Sequence, residues 1–290
     1  MVRTMRFIVS YFACLLPVLS LLFSQGQSQV GYAILVANKG ASRPAGTALF
    51  TYTDAEGVVR WQAGVAAVEP IRSGRIFVDR TAGTRSAIAL ANPSDRAVTA
   101  KLVMRDAAGV QIGSTTLTLN AYQHLPKFTD ELIAGIPDAV TIGSLSFETT
   151  ADDQRLAAIT LRETRNTLNQ PIYTTLPVMD LDAPGGAQPV TFPHVALGGG
   201  YTTQIVLISR SSAAVRGKIR MIRSNGTPFQ LPAGSEFPYN IEPNGAFRLE
   251  LTATGEVQTG YAVLTLEQGD AIPSGCLLYT SPSPRDRQKS

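Results

Sequence analysis

This 290-residue sequence predicts an all-β fold: two tandem immunoglobulin-like β-sandwich modules, preceded by a short strand and hairpin, with one short helix in the first module. Three observations predict it. Residues 86–109 (SAIALANPSDRAVTAKLVMRDAAG) recur without a gap as 203–226 (TQIVLISRSSAAVRGKIRMIRSNG). Ile88 falls on Ile205, Lys101 on Lys218, Met104 on Met221 and Gly109 on Gly226, a constant offset of 117, and self-similarity at a fixed spacing marks a repeated unit. Each copy consists of two runs alternating apolar and polar around a polar turn, the period of strands buried on one face. The repeated unit is then roughly 110 residues, the size of an immunoglobulin-type sandwich.

Both ends are set aside before composition is read. In residues 1–26, Arg3 and Arg6 precede an apolar run over 7–23, and Ser24-Gln25-Gly26 offers small residues at a cleavage site. This is the pattern of a secretory signal peptide. The run contains Pro17 and falls short of the about 20 residues a membrane helix needs. The tail 276–290 (CLLYTSPSPRDRQKS) resembles translated sequencing-adapter sequence, which places the end of the chain's own pattern at Gly275. Formal net charge is +3. Arg3 and Arg6 account for two charges and the tail for two more, so the central region is close to neutral, at −1. No attraction to nucleic acid or to membrane is expected from that balance. Both cysteines, Cys14 and Cys276, fall in the trimmed ends, so no disulfide framework, thiol nucleophile or cysteine-held metal is expected. Apolar cores must then hold the fold.

In chain order, residues 27–67 read as a strand over 30–35 followed by a hairpin, 47–53 and 58–64, around Asp54-Ala-Glu-Gly57. Gly31-Tyr32-Ala33-Ile34-Leu35 recurs as Gly260-Tyr261-Ala262-Val263-Leu264, an offset of 229, and Pro44 and Gly46 then fall on Pro273 and Gly275. The segment therefore reads as part of a preceding unit. The first module, 68–183, has strands at 75–80, 86–91, 98–106, 111–119, 141–149, 156–163 and 172–178. Thr129 as N-cap, Asp130 and Glu131, and Gly135 predict a short helix between the fourth and fifth of these. Asp180 to Pro189, with Gly185-Gly186 and two prolines, reads as a linker. The second module, 188–275, has strands at 190–197, 202–209, 215–223, 246–253 and 257–267, without the helix. Leu145 is matched with Leu249 and Ile159 with Leu264 in this reading, offsets of 104 and 105.

Chemistry-bearing motifs are sparse. His124 and His194 lie in different modules, and a zinc site needs three or four ligands. HExxH and GxSxG are both missing from the sequence, and Gly198-Gly199-Gly200 lacks the Lys-Ser/Thr of a phosphate loop. No cofactor is expected. Asp180 and Asp182, with Asp138, are oxygen donors that a calcium ion at the module junction would use, against a solvated linker as the plainer reading. Arg216, Lys218 and Arg220 alternate along one strand. They read either as a basic ladder for an anionic glycan or as a solvated face paired with acids such as Glu236 or Glu250. Tyr201, Tyr239 and Trp61 are the aromatics a sugar-binding face would use, Trp61 also suiting a packing role. Asn225-Gly226-Thr227 matches a glycosylation sequon but suits a hairpin turn better.

The pattern GRIFVDR…IALANPS…MRDAAG…LNAYQHLPKFTDEL…GSL…LAAITLRE over Arg75 to Glu163 resembles a tandem β-sandwich repeat of exported bacterial proteins, and Phe192 to Glu267 resembles it more loosely. Ser209-Arg210 stands in place of the Asn-Pro turn in the second copy. The resemblance implies a fold and transfers no catalytic residue. The expectation is a non-catalytic structural or adhesive protein, secreted or at the cell surface, partnered by a surface glycan or another extracellular protein. The alternative is a carbohydrate-binding accessory region of a larger secreted enzyme.

Overall fold

The computed structural model describes residues 30–38, 40–42, 44–165 and 169–280. The expected signal segment and the last ten residues of the tail lie outside these. A two-stranded antiparallel hairpin comes first, β1 (Thr47–Thr53) with β2 (Val59–Ala66). Residues 30–35, expected as a strand, have no strand pairing. A strand exists only where a neighbour takes up its backbone N–H and C=O groups, and the described residues offer this stretch none.

The first sandwich comprises β3 (Ser73–Asp79), β4 (Thr84–Ala91), β5 (Val98–Asp106), β6 (Gln111–Leu119), β7 (His124–Phe128), a helical turn α1 (Thr129–Leu132), β8 (Ile142–Thr149), β9 (Ala157–Arg165), β10 (Pro171–Leu176) and β11 (Met179–Asp180). One sheet runs β10-β9-β4-β7 and the other β11-β3-β8-β5-β6. Alternate residues of both turn inward: Ile88 and Leu90 from the first sheet meet Leu102, Met104, Leu145 and Phe147 from the second, each at most 1 % exposed. Each such side chain contributes about 1.5–3 kcal/mol by leaving water. The helix is a single turn capped at Phe128 without a side-chain hydrogen bond; Thr129, the expected cap, is its buried first residue.

The second sandwich comprises β12 (Val190–Leu197), β13 (Thr202–Ile208), β14 (Val215–Arg223), β15 (Glu236–Ile241), β16 (Ala246–Thr252), β17 (Gln258–Gln268) and β18 (Ser274–Thr280). Its sheets run β12-β17-β14-β15 and β16-β13-β18. Counting from β3 and from β12, the first seven strands of each sandwich share one order. The first strand lies beside the sixth and the last beside the second. In the immunoglobulin constant pattern the first strand pairs with the second and the last with the sixth. The two outer strands have thus exchanged places relative to that pattern.

Strand pairing also defines which residues correspond. Leu102 faces Phe147 and Met104 faces Leu145, while Ile219 faces Leu264 and Met221 faces Ala262. The offset of 117 therefore holds in the sixth strand. It holds in the seventh too, where Ile88 faces Thr160 and Ile205 faces Leu277. The expected matches of Leu145 with Leu249 and Ile159 with Leu264 are incorrect: Leu249 stands on the fifth strand and Leu264 on the sixth. Two length changes cancel between the sandwiches. The second has a longer connection before its fourth strand (224–235 against 107–110), and the first has the α1 insert before its sixth (129–141 against 253–257). Strands β7 and β15 are not among the expected strands, and each contains a proline, Pro126 and Pro238. Both are edge strands, where a missing N–H costs no ladder bond. Strand β18 crosses the boundary expected at 275: Leu277 packs against the second core and Leu278 against the junction between sandwiches.

That junction is packed. Phe77, Leu176 and Met179 meet Val206, Ile208 and Ala246 in a third apolar cluster. The stretch expected as a linker is tied down: the Leu181 N–H donates to Ser73 O at 3.0 Å, the Ile272 N–H to Gly186 O at 2.7 Å, and Arg210 to the carbonyls of Asp180 and Ala183. The Asp79 carboxylate is buried between Arg162 of its own sandwich at 2.9 Å and Arg248 of the other at 3.3 Å. It also accepts from the Thr81 N–H and hydroxyl. Arg75, 4 % exposed, reaches across to Ser209 O and to Asn244 Oδ1.

Candidate functional site

The hairpin places Tyr52 directly opposite Trp61, on one face. Their rings stack at 5.9 Å with 20° between planes. Tyr173 of β10 meets the Trp61 ring edge-on, 5.0 Å away at 60°. Strand alternation alone gives the first contact, since cross-strand partners share a face; the second requires the hairpin to lie against β10, where the Thr175 hydroxyl donates to Gly64 O at 2.8 Å. The Tyr173 hydroxyl donates to Glu163 Oε2 at 2.6 Å, and Arg165 stands 3.4 Å from the other carboxylate oxygen. Burial first, then the hydrogen bond to Glu163 and its charge, push the Tyr173 phenol up to about 12. Next to this, Arg85 lies 3.7 Å over the Phe128 ring and pairs with Asp130. Trp61 is half-buried and Tyr52 is 50 % exposed, so the corner presents an aromatic face to solvent beside fixed polar groups.

A half-open aromatic surface with hydrogen-bonding groups at its rim suits a ligand with one apolar face and several hydroxyls. Comparison with protein-family models, with curated proteins and with solved structures finds no match.

The other sequence-derived candidates are dispersed. Tyr239 is 2 % exposed, a core residue whose hydroxyl donates to Thr265 O at 2.9 Å. A ligand platform needs an accessible ring face, so Tyr239 is not part of one. Tyr201 sits half-buried in the Gly198–Tyr201 turn that leads into β13. Trp61 stands on the hairpin, while Tyr201 leads into β13 and Tyr239 lies on β15, in opposite sheets of the second sandwich, so the three do not form one coplanar face. Arg216, Lys218 and Arg220 do line the exposed face of β14, with Val215, Ile219 and Met221 turned inward. Lys218 pairs with Glu267 at 2.9 Å and Arg220 with Glu236 at 3.7 Å, while Arg216 donates to Asn240 at 3.1 Å. Neighbouring strands therefore compensate the ladder. Glu250, the other acid expected there, stands on β16 in the opposite sheet.

Asp182 is held bidentately by Arg72, which also pairs with Glu148 at 2.6 Å. Asp180 Oδ1 accepts from the Asp182 N–H at 2.9 Å, an Asx-type turn. Among the described residues no group of three or more His, Cys, Asp or Glu is placed to hold a metal ion. His124 opens β7 beside the Tyr32 ring, its imidazole pushed to lower pKa by burial, and His194 lies on β12. The Asn225 side chain accepts from the Thr227 N–H and hydroxyl, closing the turn expected there. Tyr52 and Tyr173, which complete the corner, went unnoticed in the sequence; for Tyr52 the hairpin register was the available signal.

Proposed function

We propose that this chain is a non-catalytic, extracellular tandem-repeat protein whose two sandwiches form a rigid spacer, presenting the N-terminal hairpin and its aromatic corner to a surface partner. Export by the segment at 1–26 belongs to the same proposal. The observation that carries it is the junction. A flexible tether needs neither a shared apolar cluster nor a buried carboxylate held by an arginine from each side, and both are present. Spin labels on the outer ends of the two sandwiches test this by dipolar spectroscopy. A single narrow distance distribution is expected, broadening in Asp79→Ala. A broad distribution in the unaltered protein would remove the spacer reading.

The stacked Tyr52–Trp61 pair favours a second reading, carbohydrate binding in the service of a larger secreted enzyme. Trp61 is the only tryptophan, so its fluorescence reports the corner directly. Titration with neutral polysaccharides is expected to shift that emission saturably, with the response lost in Tyr52→Ala. An emission unchanged across the panel discards this reading.

A further inference from the structure

The face that β3, β8 and β5 turn towards the second sandwich gathers positive charge at one place. Strand alternation sends Ile76, Leu145, Phe147, Leu102 and Met104 into the first core, so Arg75, Ser144, Ser146 and Arg105 point the other way. Arg75 stands opposite Ser146 on β8, and Ser144 stands opposite Arg105 on β5. The two arginines therefore flank a middle strand that places only small hydroxyl side chains between them. Arg105, half-buried, reaches over that strand to Ser146 Oγ at 3.4 Å. The second sandwich closes this face: Asn244 Oδ1 accepts from Arg75 at 3.0 Å, and the Ala246 N–H donates to Ala107 O at 3.0 Å, just past Arg105. Arg75 is left 4 % exposed and Ser144 1 %.

Two donors on this face are unsatisfied. Arg75 Nε and Ser144 Oγ are both buried and have no hydrogen-bond partner among the described residues. The remaining groups of Arg75 donate to neutral acceptors, Ser209 O and Asn244 Oδ1. The acids of the junction are engaged elsewhere: Asp79 with Arg162 and Arg248, and Asp182 and Glu148 with Arg72. The charges that act on Arg75 are those of Arg105 and Arg210, both of its own sign. Arg210 has Asp270 beside it, but neither Arg75 nor Arg105 forms an ion pair with a carboxylate among the described residues. At neutral pH a guanidinium keeps its proton, and a buried charge is costly unless a counter-charge stands next to it.

We propose that the junction is an anion site: a chloride-sized inorganic anion sits between Arg75 and Arg105, accepts from Arg75 Nε and Ser144 Oγ, and neutralises the charge buried between the sandwiches. The enclosure sets the size. Both donor atoms are shut off from solvent, which suits a monatomic ion and leaves an oxyanion too large. Residues from the two sandwiches build the site together, with Arg75, Ser144 and Arg105 below and Asn244 above, so bound anion and docked junction stabilise each other. The site stands whether or not the pair of sandwiches serves as a spacer.

Thermal unfolding of the full chain, with sodium chloride exchanged for sodium gluconate at fixed ionic strength, tests this. The midpoint is expected to rise saturably with chloride, by a few degrees. Asn244→Asp supplies Arg75 with a carboxylate from within the chain. That variant should unfold at a higher temperature than the unaltered protein in chloride-free buffer, and should no longer respond to chloride. Arg105→Gln, at a half-buried position, covers the case where Asn244→Asp misfolds: the half-saturating chloride concentration should rise about tenfold through the lost charged donor. A midpoint indifferent to chloride overturns the proposal. So does a chloride response of equal size and midpoint in the unaltered protein and the variants, which would mark a general salt effect.

Discussion

Asp79 shows how one residue can decide the relation between two domains. Its carboxylate is fully buried, and its partners come from β9 and from β16, 83 and 169 residues further along the chain. Removing it leaves two half-buried guanidiniums without their anion, at up to about 3–5 kcal/mol. Asp79→Ala should therefore lower stability by that order as well as loosen the junction, which denaturant unfolding measures directly. Tyr173 and Tyr239 make a second statement at this scale. Both phenols are pushed up to about 12, by burial first and then by the negative charges of Glu163 and Glu267 respectively. A tyrosine raised in the folded state stabilises fully below its unfolded value near 10 and loses that contribution as pH climbs towards 12. Arg75, pushed down to about 10 by burial and by Arg105 and Arg210, acts in the opposite sense over the same window. The clean measurement is thus a difference: ultraviolet titration should show at least two late phenols, one of them vanishing in Tyr239→Phe, and the alkaline loss of stability should flatten in that variant. Phenols that all ionise together near pH 10 would contradict it.

At the scale of elements, backbone contacts explain which strands could be read. Gly143 and Gly260 hold the same place on the sixth strand, 117 apart, and a Cβ on either would lie 2.1 Å or 2.0 Å from the carbonyl oxygen of Arg105 or Ile222. The glycine permits the sixth strand to close on the end of the third. Gly143→Ala and Gly260→Ala should each cost about 1–3 kcal/mol through forced displacement, seen as lower denaturant midpoints with an unchanged all-β circular dichroism spectrum; a midpoint equal to the unaltered protein would show that the strands separate freely there. These glycines were also the marker that would have corrected the sequence alignment, because Gly143-Ser-Leu145-Ser-Phe147 lines up with Gly260-Tyr-Ala262-Val-Leu264 without a gap. The matches of Leu145 with Leu249 and Ile159 with Leu264 fail because single aliphatic residues occur on too many strands to define register. Pro126 and Pro238 sit in two strands that were not expected, and both are tolerated because those strands lie at sheet edges.

Over the whole molecule, local pattern and long-range contact divide the account. Period-two alternation through 86–109 and 203–226 was enough for an all-β class, for most strands and for the inward faces of β4, β5, β13 and β14, because side-chain direction in a strand is a local property. The exposed face of Arg216, Lys218 and Arg220 was legible for the same reason. The exchanged places of the first and last strands, the locked junction around Asp79, the meeting of Trp61 with Tyr173 and the burial of Tyr239 were not. Each depends on which distant segment supplies the neighbour. No local rule names that neighbour, because the burial and charge pairing that select it exist only once the sheets have closed on one another.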